Sequence, residues 1–194
     1  MAAQTLARLA AVSAERLEEA FLRQTSDISL MISPRMVDEL NKQANAEVYS
    51  SCLYLAISDY YESVNLKGFA KWMKAQAREE LAHADRFYEH IIDRMGRAKV
   101  LAVEQPPFEW SSPAEAIRAA FDHEVKVTGL INGLVNLALS EKDNTAFNFL
   151  QWFVAEQVEE EKQVDEILQR LKIGGGEGAG LLLMDSELAQ RKVS

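Results

Sequence analysis

The sequence predicts an all-α fold, a four-helix bundle with one long crossover. Three observations predict it. Ala, Leu, Glu, Lys and Gln are abundant and only four prolines occur in 194 residues, a composition that favours helix over sheet. Four long segments repeat apolar residues at helical spacing. Within each pair of segments the break is short, while a proline-containing stretch separates the pairs. Two antiparallel hairpins joined by one long connection give that pattern.

Each element has its own signals. Residues 4–25 place Leu6, Leu9, Ala10, Leu17, Ala20 and Phe21 on one helical face, and residues 26–32 link onward. Residues 1–30 therefore read as an N-terminal helical extension and linker, distinct from one domain over 31–194. The extension either packs its apolar face on the bundle or between subunits, or it frays, since about 20 residues barely support a helix alone. Ser33 can cap the next helix and Pro34 fits its first turn, and the run continues to about Ser63. Val64 to Gly68 breaks it. A second helix is expected from about Lys67 to Met95, with Gly96 as the left-handed residue that ends it. Residues 97–112, with Pro106, Pro107, Phe108 and Trp110, form the crossover. Ser112 and Pro113 repeat the cap-plus-proline start of a third helix to about Leu139. A turn at Ser140 to Asp143 leads to a fourth, about Asn144 to Lys172. Gly174, Gly175, Gly176, Gly178 and Gly180 then read as a flexible hinge before a short helix, Leu181 to Arg191.

Apolar residues make up 48% of the chain, enough for one continuous core. The net charge of −9 argues against nucleic acid as a partner, because phosphates need clustered Lys and Arg. An acidic surface instead attracts cations. The single cysteine, Cys52, is expected as a buried thiol, and its being alone suggests a reducing, cytoplasmic setting. No segment approaches the roughly 18 apolar residues of a membrane span. The first fourteen residues end in Ala-Val-Ser-Ala, but Arg8 interrupts them and no basic cluster precedes, so they are not read as a signal peptide.

The chemistry lies in liganding residues set among core positions. Glu47 and Tyr54 are two helical turns apart on one face, which Leu40, Ala44, Ser51 and Leu55 mark as inward. Glu80 and His83 form a Glu-x-x-His pair, which lets one turn offer a carboxylate and an imidazole to one metal. Glu124 sits among Phe121, Val125, Val127, Thr128 and Ile131. Gln157 follows Leu150, Trp152, Phe153 and Val154, flanked by Glu156 and Glu160. Buried carboxylates are costly unless paired or on a metal. Two divalent cations would remove that cost, and this donor set suits Fe(II), Mn(II) or Zn(II) with positions open for oxygen. One Glu-x-x-His is common on exposed helices, Glu159 to Glu161 also reads as a solvated acidic face, and His90 and His123 read as packing or surface residues. The coincidence across four helices carries the reading. No nucleophilic triad, phosphate loop or redox cysteine pair suggests other chemistry.

Four segments resemble the ferritins: Asn45 to Tyr49 with Tyr54, Leu66 to Trp72, Arg78 to Ala84, and Phe149 to Lys162. The resemblance covers about residues 31–192, with Met31-Ile32-Ser33-Pro34 like the usual family start and the N-terminal extension a departure. It implies an iron-storage ferroxidase that oxidises Fe(II) with dioxygen or hydrogen peroxide and deposits ferric oxide. By resemblance, Glu47, Glu80 and His83 hold a first iron, and Glu80 bridges to a second held by Glu124. Gln157 lies beside that second position, and Tyr54 supplies an electron or a hydrogen bond. A third iron position of bacterial ferritins maps onto Glu79, Glu156, Glu159 and Glu160. Bacterioferritins carry a second Glu-x-x-His in the fourth helix and a haem-binding methionine between the Glu and His of the first. Here Gln157 with Glu160, and Leu81 with Ala82, stand at those places, which implies a bacterial-type ferritin without haem. A shell of twenty-four identical subunits, with the last helix near a symmetry axis, is likewise implied. A passive shell is disfavoured by the intact ligand set. A rubrerythrin-like peroxidase is disfavoured by the absent second Glu-x-x-His, the glycine hinge and the terminal helix.

Overall fold

The computed structural model describes residues 31–174 and 176–190. The expected N-terminal helix and Arg191 lie outside the described residues. Five helices follow in order: α1 Pro34–Ser63, α2 Lys67–Asp93, α3 Pro113–Glu141, α4 Asn144–Gly174 and α5 Gly178–Leu188. Residues 96–112 form the irregular crossover. No helix among the described residues is long and apolar enough to cross a membrane.

The caps act as the sequence predicts, and they also set helix against helix. Ser33 Oγ accepts the Met36 N–H at 3.0 Å and donates to Glu141 Oε2 at 2.6 Å, so the start of α1 is tied to the end of α3. Ser112 Oγ accepts from Glu115 N at 3.2 Å at the head of α3. Asp143 caps α4 through Ala146 N (2.9 Å) and takes both guanidinium nitrogens of buried Arg94 at 3.1 and 3.0 Å. That pair fixes the end of α2 to the α3–α4 turn. The crossover is pinned at its start by Asn41, which donates to Arg97 O (3.1 Å) and accepts from Lys99 N (2.6 Å). Further on, Trp110 packs edge-on against Tyr60 with ring centroids 5.5 Å apart.

The helix ends differ from expectation at the end of α2 and at the α4–α5 junction. α2 stops at Asp93, and Met95, at φ 60°, takes the left-handed turn rather than Gly96. Met95 N donates to Ile92 O (2.9 Å) and Gly96 N to Ile91 O (2.8 Å), the paired bonds that close a helix in the Schellman manner. Gly96 serves close packing instead: a Cβ there would lie 2.9 Å from methyl groups of both Ile91 and Val37. Asn65 (φ 62°) and Lys142 (φ 56°) end α1 and α3 in the same way. At the expected hinge, α4 runs to Gly174 and α5 begins at Gly178, earlier than Leu181. Gly176 and Gly178, both at φ 63°, make the reversal that L side chains resist.

α5 docks on the bundle's own α2. Asp185 Oδ1 accepts from Gly68 N (2.7 Å) and Phe69 N (3.0 Å), capping a helix whose own N-cap, Leu66, has no side-chain acceptor. Lys71 Nζ donates to Ala189 O at 2.6 Å, and Met184 and Leu188 are buried. A Cβ at Gly68 would stand 1.7 Å from Asp185 O, so only glycine permits the approach.

The apolar core is in two parts. One holds Leu53, Tyr54, Ile57, Phe69, Met73, Ala116, Ile117, Val164 and Ile167. The other holds Met36, Leu40, Phe87, Ile91, Val127, Ile131, Leu150 and Phe153. α1 and α4 pass from the second part to the first, and α2 and α3 pass the opposite way, which gives each sequential hairpin antiparallel helices. Every long helix contributes buried polar residues between the two parts: Glu47 from α1, Glu80 and His83 from α2, Glu124 from α3, and Gln157 and Glu160 from α4.

Three apolar positions read as inward are not. Leu55 is 43% exposed and Val125 47%. Leu55 is eight residues from Glu47, roughly 80° round the helix, whereas Tyr54 at seven is within about 20°. Val125 follows Glu124 by one residue and turns away by about 100°. Cys52, one residue past inward Ser51, is half-buried rather than buried.

A candidate metal centre between two half-cores

The polar layer is built from side chains that α-helical spacing turns inward at one level of the bundle. Glu47 is 1% exposed, Glu80 3%, His83 6%, Glu124 1% and Gln157 5%. Ligand atoms of Glu47, Glu80 and His83 lie within 4.8 Å of one another, close enough for one ion to bind all three. His83 Nδ1 is 3.2 Å from Glu80 Oε2. Its ring is held edge-on by Trp152 and Phe153, with centroids 5.4 and 6.1 Å away, and the Arg86 guanidinium covers Trp152 at 3.7 Å.

Glu124 completes the layer by a different route. Tyr54 donates its hydroxyl hydrogen to Glu124 Oε1. Gln157 Nε2 donates to Glu124 Oε2 at 3.1 Å and also reaches Thr128 Oγ1 at 3.2 Å. Each Glu124 oxygen therefore has a neutral donor that holds it in place.

A second group also includes His83. His83, Glu156 and Glu160 bring ligand atoms within 4.8 Å of one another. Glu160 is buried and accepts from Gln76 Nε2 at 2.5 Å, while Glu156 is half-buried. Glu79 is half-buried and its charge raises the proton affinity of both Glu80 and Glu160. Glu159 is exposed, 3.8 Å from Lys162, and joins neither group.

The electrostatics of the layer call for cations. Burial pushes the Glu47 carboxyl up to about 8, and the Glu80 charge adds to it. Burial raises Glu124 to about 8 and Glu160 to about 7, and raises Glu80 well above the carboxylate range with help from Glu160. Among the described residues the one buried Arg or Lys is Arg94, and it pairs with Asp143 at the end of the bundle. Glu47 Oε2 is buried with no hydrogen-bond partner. An orphaned carboxylate oxygen among uncompensated acids marks a candidate cation site.

The two other histidines pack. His90 stacks on Phe149 at 3.9 Å. His123 bonds Ser50 Oγ at 2.7 Å, with ring centroids of Tyr49 and Tyr54 5.5 and 6.2 Å away. Burial, aided by the Lys126 charge, lowers it to about 4, which keeps it neutral.

The ferritin-like domain family matches residues 37–173, most of the chain. The chain belongs to the ferritin family. It is 42% identical over 161 residues to a bacterial non-heme ferritin of Bacteroides fragilis, spanning 83% of this chain and all of that protein. It is 37% identical over 159 residues to one from Escherichia coli, covering 82% and 96% respectively. Among solved structures, an open pore ferritin from the hyperthermophilic archaeon Archaeoglobus fulgidus superposes with a TM-score of 0.83 at 47% identity, covering 85% of this chain and all of that one.

In this ferritin, sequence reasoning missed the glutamines that serve the carboxylates. Gln43 Nε2 donates to Glu47 Oε1 at 2.9 Å, and Gln76 holds Glu160. Both are buried. Each stands four residues before a ligand candidate, Glu47 or Glu80, and that spacing is the signal that would have found them.

Proposed function

We propose that this ferritin subunit stores iron: it oxidises Fe(II) at the polar layer with dioxygen or hydrogen peroxide, and ferric oxide collects inside a shell of identical subunits, twenty-four by family resemblance. The reading rests chiefly on one observation. Four buried carboxyls from four helices face one another, and among the described residues no buried Lys or Arg stands beside them, Arg94 being paired with Asp143.

Glu47, Glu80 and His83 form the first position for the substrate ion. Glu80 and Glu124, with Gln157 beside them, form the second, and Tyr54 orients Glu124 through its hydroxyl. Holding two Fe(II) ions in one layer lets both meet the oxidant together. Two Fe(II) give two electrons to dioxygen, which takes up two protons and leaves as hydrogen peroxide. The carboxyls, protonated without cations, release their protons as ions arrive. Hydrolysis of Fe(III) to the oxide releases more. Glu156 and Glu160 with His83 offer a third position, and Glu79 and Glu159 line the way from it as acidic groups.

The domain reading assigns this activity to residues 31–194, so a chain lacking residues 2–30 retains it. The test is stopped-flow oxidation of Fe(II) under oxygen, comparing the protein with the Glu80→Ala, His83→Ala double variant. A fast phase of about two irons per subunit, lost in the variant, supports the reading. Equal slow oxidation by both overturns it in favour of a passive shell.

A further inference from the structure

A slot opens between α1 and α3 on the side of the bundle away from α4. It encloses about 400 Å³ and is walled by Gly129, Gly133, Leu130, Leu134 and Leu137 from α3, with Gln43 of α1 lining it. Gln43 is 3% exposed, and its amide donates to Glu47, the ligand candidate whose other oxygen is unpartnered. Gln43 therefore touches both the slot and the polar layer.

Packing does not explain the glycines. A Cβ added at Gly129 or Gly133 would meet nothing within 4 Å. Glycine in a helix interior costs helix stability relative to alanine, and here two stand one turn apart. Their effect is to leave that wall of the slot without side chains at these two positions.

The lining says what passes. Arg35 and Lys42 at the rim outnumber Glu39, and Lys42 Nζ bonds Glu39 at 2.7 Å, so no free negative charge draws a divalent cation in. The interior offers leucine and glycine. The groove on the other side of α3, about 660 Å³ above Gln157 and Thr128, is also largely apolar, with Phe121, Ile131, Val154 and Val158, but differs in the sign of its charge, with Glu161 and Asp165 against Lys162.

We infer that the Gly129–Gly133 slot is the channel by which a small uncharged oxidant, dioxygen or hydrogen peroxide, reaches the Glu47 side of the metal layer, with Gln43 as its gate. This rests on the oxidase reading above. Because the slot is separate from the groove that carries Glu161 and Asp165, oxidant and cation need not compete for one opening.

The test fills the slot. Gly133→Leu and Gly129→Leu place side chains in open space and raise helix propensity, so folding is not at risk. Oxidation rates are measured in the assembled protein at varied dioxygen and, separately, at varied hydrogen peroxide, alongside an anaerobic Co(II) titration of the layer. The expected result is an apparent KM for dioxygen raised about 5-fold or more, with Co(II) binding and the rate at saturating oxidant unchanged. A matching shift for hydrogen peroxide assigns the slot to both oxidants, and a shift for one alone assigns it to that one. An unchanged KM for both, with Co(II) binding intact, overturns the channel. Glu39→Phe closes the same mouth from α1 and serves if a leucine disturbs assembly. Absence of Co(II) binding in the unaltered protein would instead overturn the metal-layer reading.

Discussion

Tyr54 and Glu124 lie seventy residues apart in sequence and share one hydrogen bond in the middle of the bundle, the phenol donating to Oε1 of the carboxylate. Gln157 holds the other oxygen. Tyr54→Phe removes one of two constraints without removing a ligand. A hydrogen bond to a charged group contributes about 1.5–3 kcal/mol. Fe(II) oxidation is expected to slow about 10-fold or more, while anaerobic Co(II) still binds. Lost binding would mean that Tyr54 holds the site together rather than tuning it.

Removing both α2 ligand candidates should have a larger effect. The Glu80→Ala, His83→Ala variant leaves Glu47 without the two ligand candidates that lie within 4.8 Å of it. The fast oxidation phase is expected to fall by ~100-fold or to vanish. Circular dichroism should still report full helix content, because the lost carboxylate was itself a burden on the fold.

The metal-free protein should lose stability as pH rises. Glu47 and Glu124 bind protons up to about pH 8 when folded and Glu160 up to about 7, against an ordinary 4.5 when unfolded. The folded state thus holds more protons between those limits, and stability falls with rising pH through that window. Thermal melts of chelator-treated protein from pH 5 to pH 8 should show Tm dropping by ~5 °C or more. Adding Zn(II) at pH 8 should restore it, since ions replace the protons. A flat or rising profile would show that the carboxyls are charged and compensated without metal.

Asp185 provides a check on the last helix. Asp185→Ala removes the cap on α2 and should cost about 1–2 kcal/mol. Gly68→Ala should be worse, because its Cβ would meet the Asp185 carbonyl oxygen at 1.7 Å and α5 would have to move off. Limited proteolysis near Gly176 reports the undocking. Unchanged cleavage in both variants would mean that Met184 and Leu188 suffice to hold the helix.

Much of this was legible in the sequence, for definite reasons. Glu47, Tyr54, Glu80, His83, Glu124 and Gln157 occupy positions where helical periodicity demands an apolar residue, so each stood out, and the structure buries all six. Ser33, Pro34, Ser112 and Pro113 mark helix starts by local chemistry alone. What was not legible depends on neighbours distant in sequence. Gln43 and Gln76 look like ordinary exposed helix residues until another helix covers them. Met95 takes a left-handed turn that glycine would take more easily, because Gly96 is reserved for contact with Ile91 and Val37. Leu55 and Val125 were judged by being apolar, when the angle round the helix decides.

The division of the core at the polar layer has a consequence for cooperativity. Above and below the layer, leucines, phenylalanines and methionines interlock across helices. At the layer, carboxyls, glutamines and Tyr54 replace that apolar packing, so without cations the two parts are joined there by a few side-chain hydrogen bonds and by continuous backbone. Local opening events in one half need not spread to the other. Amide exchange in the metal-free subunit should then report two blocks with separate opening free energies. Loading the layer with divalent ions should merge them into one, so the cargo that the subunit handles also makes it fold as a single unit.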